Sequence, residues 1–184
     1  CSRSNGSRAT ERAMVRMAQK VDAQATLLGV LGRALEEGAP LCFRRNGPMS
    51  FDQADLVSEA EALAAFIDGA VHAYGLDPER MVYIGYSNGA NLLGAMLSLH
   101  PQLIRRAVLL RSMAVLTDPP AVDMSTAEVL VIAGEKELYG PYTQPLAERL
   151  QNGRAKVELA TVPAGHELDD ADVPAIQRWL KQSV

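Results

Sequence analysis

The sequence predicts an α/β fold in which a mostly parallel sheet carries helices on both faces. Two observations lead to this prediction: the apolar runs are short, as in strands, and helical segments separate most of them. Strands that are buried on both faces form near-continuous apolar runs, and parallel neighbours need a crossover between them. Sites in such folds lie beyond the carboxyl ends of the strands. The loops that follow strands are therefore the first place to look for functional residues.

Length and composition agree with one globular domain over residues 1–184. Hydrophobic residues make up 48% of the chain and charged residues 22%, an ordinary balance. The net charge of −4 gives no electrostatic reason to expect nucleic acid or an anionic membrane as a partner. No apolar run is long enough to span a bilayer. The two cysteines make no disulfide framework, so the reducing cytoplasm is the expected compartment.

The first part of the chain carries two predicted helices and one predicted strand. Apolar residues recur at helical spacing over 11–21, and again from Asp55 to Tyr74, where Gly75 ends the pattern. The run ATLLGV at 25–30 has the length and apolarity of a buried strand. Residues 31–56 mix glycine, proline and polar residues, which predicts a long irregular connection of the kind that is often functional.

The rest of the chain alternates strands with helices. The predicted strands cover 81–86, 106–112, 128–135 and 156–162. The predicted helices cover 88–100, 142–152 and 172–182. This alternation is typical of a parallel sheet with crossover helices.

A serine lies between two glycines where the first of these strands gives way to a helix, in the sequence IGYSNGAN. Gly85 and Gly89, at positions −2 and +2 from Ser87, give strand and helix room to approach closely. Such a sharp turn lifts the serine hydroxyl clear of the sheet. The next N–H, that of Asn88, then lies at a helix N-terminus, where negative charge is favoured. Ser87 is therefore a candidate nucleophile, and Asn88 a candidate oxyanion donor.

A serine nucleophile needs a base, and the chain contains three histidines. His72 falls late in a predicted helix, and His100 falls at a helix end before Pro101, which favours surface or capping roles. His166 lies in VPAGHELDD, directly after the last strand. Taken alone it is an ordinary loop histidine, but its position after the GxSxG serine makes it the candidate base.

The third member of such a site is a carboxylate on a loop between serine and histidine. The strand at 128–135 leads into Glu135 and Glu137, and Glu137 lies far enough into the loop to reach an imidazole. Asp123 precedes that strand, at the wrong end of the sheet, while Asp169 and Asp170 are expected to begin the last helix. Glu137 would fix the imidazole tautomer. A solvated loop carboxylate is the alternative.

The order Ser87, Glu137, His166 is the nucleophile–acid–base order of α/β-hydrolases. The sequence resembles the carboxylesterase/phospholipase branch of that superfamily, close to dienelactone hydrolases and acyl-protein thioesterases. The likeness extends over nearly the whole chain from about residue 24 onward. It is carried by RMVYIGYSNGAN (80–91), HPQLIRRAVLLRSM (100–113), VLVIAGEKE (129–137), PAGHEL (163–168), EEGAPLCFRR (36–45) and FDQADL (51–56).

The resemblance implies a role for each residue of the triad. The family's serine nucleophile corresponds to Ser87, and the histidine of its Gly-His-Glu segment corresponds to His166. The family's acid is usually an aspartate, and this chain has Glu137 at that position, a replacement that some α/β-hydrolases share. No metal or cofactor takes part in such a reaction.

The beginning of the chain departs from the family. The family opens with strands, one of which ends in a His-Gly-x-Gly-Gly loop that donates an oxyanion N–H, and Asn5–Ala9 takes that position here. Only CSRS at 1–4 precedes it, where an apolar strand would stand between those predicted at 25–30 and 81–86. The chain is a fragment, or CSRS forms a poor strand, or another chain supplies one; we favour the fragment. Ser7 is then the candidate second oxyanion donor.

The expected function is that of a serine carboxylesterase acting on small or soluble acyl esters. The long connection is expected to bring Phe43, Arg44 and Arg45 to the border of the pocket, with Met113 joining them beyond its strand. The paired arginines would recognise a carboxylate or phosphate, or form solvated ion pairs. With 5% aromatic residues and no insertion large enough for a cap, the site is expected to be shallow and open.

Two other functions stay open. A thioesterase or lysophospholipase on the same fold is not separable from an esterase by sequence. A hydrolase-like binding protein without turnover is favoured by the altered front loop and by glutamate in place of aspartate. A homodimer is compatible with either.

Overall fold

Helices and strands alternate along the part of the chain that the structure describes. This computed structural model describes residues 6–30, 32–36, 39–47, 49–138 and 140–182. The helices are α1 (Gly6–Val21), α2 (Gln53–Tyr74), α3 (Asn88–Leu99), α4 (Thr143–Asn152) and α5 (Asp172–Gln182). The strands are β1 (Ala34–Glu36), β2 (Ala39–Leu41), β3 (Arg45–Gly47), β4 (Ser50–Phe51), β5 (Tyr83–Tyr86), β6 (Arg106–Leu110), β7 (Glu128–Gly134) and β8 (Lys156–Val162). Short 3₁₀ turns cover Pro78–Arg80 and Gly140–Tyr142.

The last four strands form one parallel sheet in the order β5-β6-β7-β8. Tyr86 at the end of β5 is paired with Leu110 at the end of β6. Gly134 at the end of β7 is paired with Val162 at the end of β8. Because all four strands run in the same direction and end nearly level, the loops that follow them meet at one edge of the sheet.

Helices cover both faces of this sheet, because alternate residues of a strand point to opposite sides. Ala107 and Leu109 of β6 belong to a buried cluster with residues of α2, α3 and α4. Val108 and Leu110 belong to a second cluster with residues of α1 and α5. The predicted α/β class, with a mostly parallel sheet between two helical layers, is confirmed.

From α2 onward, every predicted element is present and its ends agree with the prediction to within two residues. Capping explains the bounds of α2. The Asp52 carboxylate accepts a hydrogen bond from the N–H of Asp55, so the helix begins at Gln53. Gly75 ends it in the left-handed region at φ 61°, and its N–H donates to the carbonyl of Val71. None of the described helices is both long and apolar enough to cross a membrane.

The prediction of a buried strand at 25–30 is wrong. These residues form a bend and irregular chain, and the side chains of Leu27, Leu28 and Val30 are 39%, 48% and 51% exposed. A strand requires a neighbour for its backbone hydrogen bonds. Within the described residues, the free edge of β5 has no further strand beside it. An apolar run without such a partner stays irregular.

The segment predicted as irregular, 31–56, contains two short antiparallel pairs among its described residues. β1 pairs with β2, and β3 pairs with β4. Helix α1 begins at Gly6, earlier than the predicted start at residue 11. Residues 1–5, which include the stretch considered as a poor strand, lie outside the described residues.

Candidate active site

Ser87 occupies the single residue between β5 and α3. Its backbone has φ 50° and ψ −116°, a conformation that costs free energy for a residue with a Cβ. The Ser87 N–H donates to the carbonyl of Leu110 at 2.8 Å, and its carbonyl accepts from the N–H of Asn91 at 2.9 Å. Its side chain makes no capping hydrogen bond to the helix, so the hydroxyl is available to other partners.

The two flanking glycines do not contribute equally to this turn. A Cβ on Gly85 would lie 2.7 Å from the Cα and 2.8 Å from the N of Ala90, closer than packed atoms allow. Gly85 is therefore needed for β5 and α3 to approach. A Cβ on Gly89 would lie 3.7 Å from the sulfur of Cys42, an ordinary contact. The expectation that Gly89 supplies the same room is therefore wrong.

A continuous chain of hydrogen bonds joins three predicted residues. The hydroxyl of Ser87 is 3.1 Å from Nε2 of His166, and Nδ1 of His166 is 2.7 Å from Oε1 of Glu137. A neutral imidazole that donates from Nδ1 to a carboxylate presents Nε2 as an acceptor for a hydroxyl. The Glu137 side chain is 1% exposed, whereas that of His166 is 37% exposed. The buried carboxylate of Glu137 thus holds the partly solvent-exposed imidazole of His166 in place.

The β7 and β8 loops contact each other closely enough to bring acid and base together. The N–H of Glu135 donates to the carbonyl of Val162 at 2.9 Å, and that of Lys136 donates to Ala164 at 3.0 Å. A Cβ on Gly134 would lie 2.4 Å from the carbonyl oxygen of Gly165, so only glycine fits at that contact. This close approach of the two loops lets the Glu137 carboxylate lie 2.7 Å from Nδ1 of His166.

The other acids and histidines weighed in the sequence lie elsewhere. The side chain of His72 is exposed, with Nδ1 2.8 Å from the carbonyl of Asp68 on α2. Glu135 is exposed. Asp123 pairs with Arg154 at 3.1 Å and Asp170 with Lys20 at 2.6 Å. His100 follows the last residue of α3, at the amino end of the sheet.

Tyr86 is a neighbour of the site that sequence reasoning missed. Its ring centroid lies 5.5 Å from that of His166, at an interplanar angle of 44°. Burial, followed by the negative charge of Glu167, raises the pKa of Tyr86 to about 12. The side chain therefore packs beside the imidazole as a neutral phenol. In the sequence, the only indication that Tyr86 lies beside the site is its position directly before Ser87.

The predicted oxyanion donors lie on two helices. Asn88 is the first residue of α3, where backbone N–H groups have no acceptor within the helix. Its side-chain oxygen accepts a hydrogen bond from the N–H of Cys42 at 2.6 Å, which ties the chain after β2 to the start of α3. Ser7 lies in the first turn of α1. The predicted loop over Asn5–Ala9 is helical from Gly6 onward, and Asn5 lies outside the described residues.

An open groove of about 300 Å³ contains one of the four predicted substrate contacts. Met113 lines it together with Met49, Ser50, Phe51, Gln53, Ala114, Val115, Leu116, Thr117, Tyr142 and Pro145. Gln53 braces one wall, because its side chain donates to the carbonyl of Val115 at 3.0 Å and accepts from the N–H of Thr117 at 2.9 Å. The N–H of Met113 donates to the side chain of Asn91, one turn along α3 from Ser87.

The other three predicted contacts do not line this groove. Phe43 is fully buried and packs against Phe51, edge to face, with ring centroids 5.8 Å apart. Its burial makes it a core residue rather than a pocket wall. Arg44 is exposed, and its Nε lies 3.7 Å from a carboxylate oxygen of Asp55. Arg45 lies on β3 and is exposed. The prediction that Phe43 borders a pocket is wrong.

The described residues contain no group of three or more His, Cys, Asp or Glu side chains arranged to hold a metal ion. The sheet edge brings together a hydroxyl, an imidazole and a carboxylate.

Known proteins share both the fold and much of the sequence. No protein-family model matches the chain. The crystal structure of a carboxylesterase from Mesorhizobium loti is 36% identical, with a TM-score of 0.91 over 93% of this chain and 82% of that chain. The carboxylesterase of Bacillus cereus is 30% identical, with a TM-score of 0.89 over 95% of this chain and 83% of that chain.

A curated relative agrees with these structures. MhqD of Bacillus subtilis (strain 168), which carries a hydrolase name, is 28% identical over 185 aligned positions, covering 98% of this chain and 91% of its own length. Identity of 36% across most of both chains, on one fold, is shared descent rather than similarity of shape alone. The chain belongs to the carboxylesterases of the α/β-hydrolase superfamily and is a hydrolase of the esterase type.

Proposed function

We propose that this protein is a serine carboxylesterase that hydrolyses small or soluble acyl esters through Ser87, His166 and Glu137. The observation that supports this most is the hydrogen-bond chain from Glu137 through His166 to Ser87, with distances of 2.7 and 3.1 Å. Its members follow three different strands of one parallel sheet. A chance surface cluster would not combine a buried carboxylate, an oriented imidazole and a serine on a strained turn.

The reaction proceeds in two halves. The Ser87 hydroxyl oxygen attacks the ester carbonyl carbon while its proton passes to Nε2 of His166, forming a tetrahedral intermediate. His166 then gives that proton to the departing alcohol as the carbon–oxygen bond breaks, leaving an acyl-serine. In the second half, water transfers a proton to His166 and attacks the acyl carbon. The proton returns to Ser87 as the carboxylic acid leaves.

Glu137 acts on the imidazole rather than on the substrate. Its buried carboxylate accepts the Nδ1–H, which sets the tautomer that leaves Nε2 free to take a proton. It also stabilises the imidazolium formed during each half-reaction. Because the carboxylate is almost fully shielded from solvent, this interaction is only weakly screened by water and salt.

The N–H of Asn88 is the first oxyanion donor, since it lies at the start of α3 next to the attacking oxygen. Ser7 is the proposed second donor, and its place in the first turn of α1 leaves its N–H without an acceptor within that helix. The positive end of the α3 dipole adds to the stabilisation of the developing negative charge.

We further infer a preference for short acyl or alcohol groups from the groove beside Met113. None of the three proposed catalytic residues lines this groove, and its link to the site is the hydrogen bond from Met113 to Asn91, one turn along α3 from Ser87. Its volume of about 300 Å³ is at the small end of ligand sites, and its wall is apolar at Met49, Phe51 and Met113. The groove is open, and His166 is partly exposed. A short ester, which carries little apolar surface, suits such an open site better than a long acyl chain, part of which would stay exposed to water.

Ester kinetics test this proposal. Wild-type protein should hydrolyse p-nitrophenyl acetate and butyrate with higher kcat/KM than the palmitate, a long acyl-thioester or a lysophospholipid. Ser87→Ala should lower kcat/KM by about 10⁵- to 10⁶-fold. The exposed Ser58→Ala on α2 is the matched control and should stay within about twofold. A higher kcat/KM for long thioesters or lysolipids would replace the esterase by those activities, and no turnover of any of them would contradict enzymatic function.

A further inference from the structure

A fully buried arginine follows β6, next to the proposed site. The Arg111 side chain is 0% exposed. Its backbone has φ 54°, in the region that residues with a Cβ rarely adopt. The Arg111 N–H still donates to the carbonyl of Ile132 at 2.9 Å, extending the contact of β6 with β7. A strained, buried and charged residue at the carboxyl end of a strand calls for a compensating role.

The guanidinium of Arg111 makes an ion pair on one side and binds backbone on the other. Nη1 and Nη2 donate to the two carboxylate oxygens of Asp172 at 2.9 and 3.1 Å, and the Asp172 side chain is also fully buried. Nε donates to the carbonyl of Gly165 at 2.8 Å, and Nη2 also donates to the carbonyl of Glu167 at 3.3 Å. These two carbonyls belong to the residues on either side of His166.

Asp172 extends the anchor along the same loop. It begins α5, and its Oδ2 accepts the N–H of Asp169 at 2.9 Å. The loop that carries His166 is thus tied to one buried ion pair at three backbone positions, those of Gly165, Glu167 and Asp169. At Gly165 there is no side chain to pack, and a Cβ built there would meet nothing within 4 Å.

We infer that Arg111 is a positioning residue for His166, one that fixes the imidazole between Ser87 and Glu137 by holding the carbonyls on both sides of it. This rests on the proposed function, in which His166 is the base. A shift of about 1 Å in a reacting group costs on the order of 100-fold in rate. A loop histidine that is partly open to solvent needs such a backbone anchor to keep its distances.

The fork of the guanidinium matters as well as its charge. A lysine could still pair with Asp172 and join α5 to the sheet. It has one nitrogen at the end of a flexible stem and no equivalent of Nε. Lysine would therefore not bind the Gly165 carbonyl, the Glu167 carbonyl and Asp172 at once. The substitution Arg111→Lys separates the positioning role from simple charge pairing.

The test compares wild-type protein, Arg111→Lys and Arg154→Lys. Arg154 is a matched control, because it too has a positive φ and pairs with an aspartate, Asp123, but it is exposed. For p-nitrophenyl acetate, Arg111→Lys should lower kcat by about 10- to 100-fold with KM within about threefold. The Arg154→Lys variant should stay within about twofold in both.

Two further measurements separate positioning from loss of folding. Amide hydrogen exchange in the peptide containing 163–170 should be faster in Arg111→Lys, while that of the peptide from β6 stays unchanged. If Arg111→Lys does not fold, the double variant Arg111→Met with Asp172→Leu removes both buried charges and should fold with the same loss of kcat. Wild-type kcat in a folded variant of either kind would overturn the inference.

Failure of the proposed function is distinguishable from failure of this inference. If wild-type protein turned over no ester, the proposed function would fall, and hydrogen exchange would then decide the anchoring role. Faster exchange at 163–170 in Arg111→Lys would support the anchor, and unchanged exchange would overturn it. If Ser87→Ala abolished turnover while Arg111→Lys kept wild-type kcat, the esterase proposal would stand and the positioning role would fall.

Discussion

The sheet half of the chain (residues 83–182) and the front segment (residues 22–51) contain apolar runs of similar length but different fates. In the sheet half, Leu109 and Ile132 are fully buried between two layers of helices. In the front segment, Leu27 and Leu28 are substantially exposed and lie on irregular chain. The difference shows that an apolar run becomes a strand only where a neighbouring backbone accepts its hydrogen bonds.

The same contrast applies to functional residues. Ser87, Glu137 and His166 follow parallel strands that end nearly level, and the structure brings their side chains within hydrogen-bond distance. The described part of the front segment contains only two short antiparallel strand pairs and no parallel sheet edge where its side chains could meet. Phe43 is buried in the core there, and Arg44 extends toward Asp55. A regular sheet edge therefore brings the predicted residues together, whereas the long connection does not bring its predicted residues to one place.

The largest expected effect comes from replacing His166, the proposed base, which lies in the sheet half of the chain. His166→Gln should lower kcat/KM for a short ester by about 10⁵- to 10⁶-fold, because no other group accepts the serine proton. His72→Gln on α2 is the matched control and should stay within about twofold, since that side chain is exposed. Steady-state kinetics with both variants measure this. Comparable losses in the two variants would contradict the assignment.

The next effect concerns the choice between two neighbouring acids. Glu137→Gln should lower kcat by about 10⁴-fold, because an amide in place of the carboxylate no longer fixes the imidazole tautomer. The exposed Glu135→Gln should have little effect. A fully active Glu137→Gln variant would show that Glu137 is a loop carboxylate with no role in orienting His166.

Some parts of the fold and of the candidate site could be predicted from the sequence, and others could not. The elements from α2 to α5 follow from local periodicity, so the sequence alone was enough to predict them. The strand ends that Ser87, Glu137 and His166 follow were likewise enough to predict that the three lie at one edge of the sheet. Tyr86 and Arg111 are different, because their roles depend on partners distant in sequence; Arg111 meets Asp172 across 61 positions. Nothing in RAVLLRS distinguishes a buried ion-pair arginine from a surface one. The run at 25–30 was mispredicted for a related reason, since nothing in the run itself shows whether another strand lies beside it, and among the described residues none does.

A stability comparison tests the two apolar runs directly. Leu109→Ala should lower the free energy of unfolding by about 2–5 kcal/mol, because it opens a cavity in a packed core. Leu28→Ala should cost less than about 1 kcal/mol, because that side chain is half exposed. Denaturant titration of both variants gives the two values. Equal losses would mean that residues 25–30 are as well packed as β6.

The smallest expected effect concerns Cys42, which lies in a part of the front segment that is largely buried. Burial raises the pKa of the Cys42 thiol to about 11, with the negative charge of Glu59 adding to the shift. At pH 8 the folded protein should therefore be alkylated at Cys42 about 100-fold more slowly than the unfolded chain. Mass spectrometry of the peptide containing Cys42 follows this reaction separately from Cys1.

The sign of the stability effect follows from the same shift. Between about pH 9 and 11 the folded protein keeps the Cys42 proton that the unfolded chain releases, so this thiol makes the protein less stable as pH rises through that window. Rapid alkylation of Cys42 in the folded protein at pH 8 would show that the contact of this part of the front segment with α3 is loose.

The most direct test of Ser87 as the nucleophile is to identify the residue that reacts with a fluorophosphonate. We expect one adduct per chain in the folded protein, on the peptide that contains Ser87, formed far more slowly in His166→Gln and absent in Ser87→Ala. Intact mass and peptide sequencing give both the number and the position of adducts. No adduct in the folded protein, or an adduct on a serine outside the turn between β5 and α3, would contradict a nucleophile at Ser87.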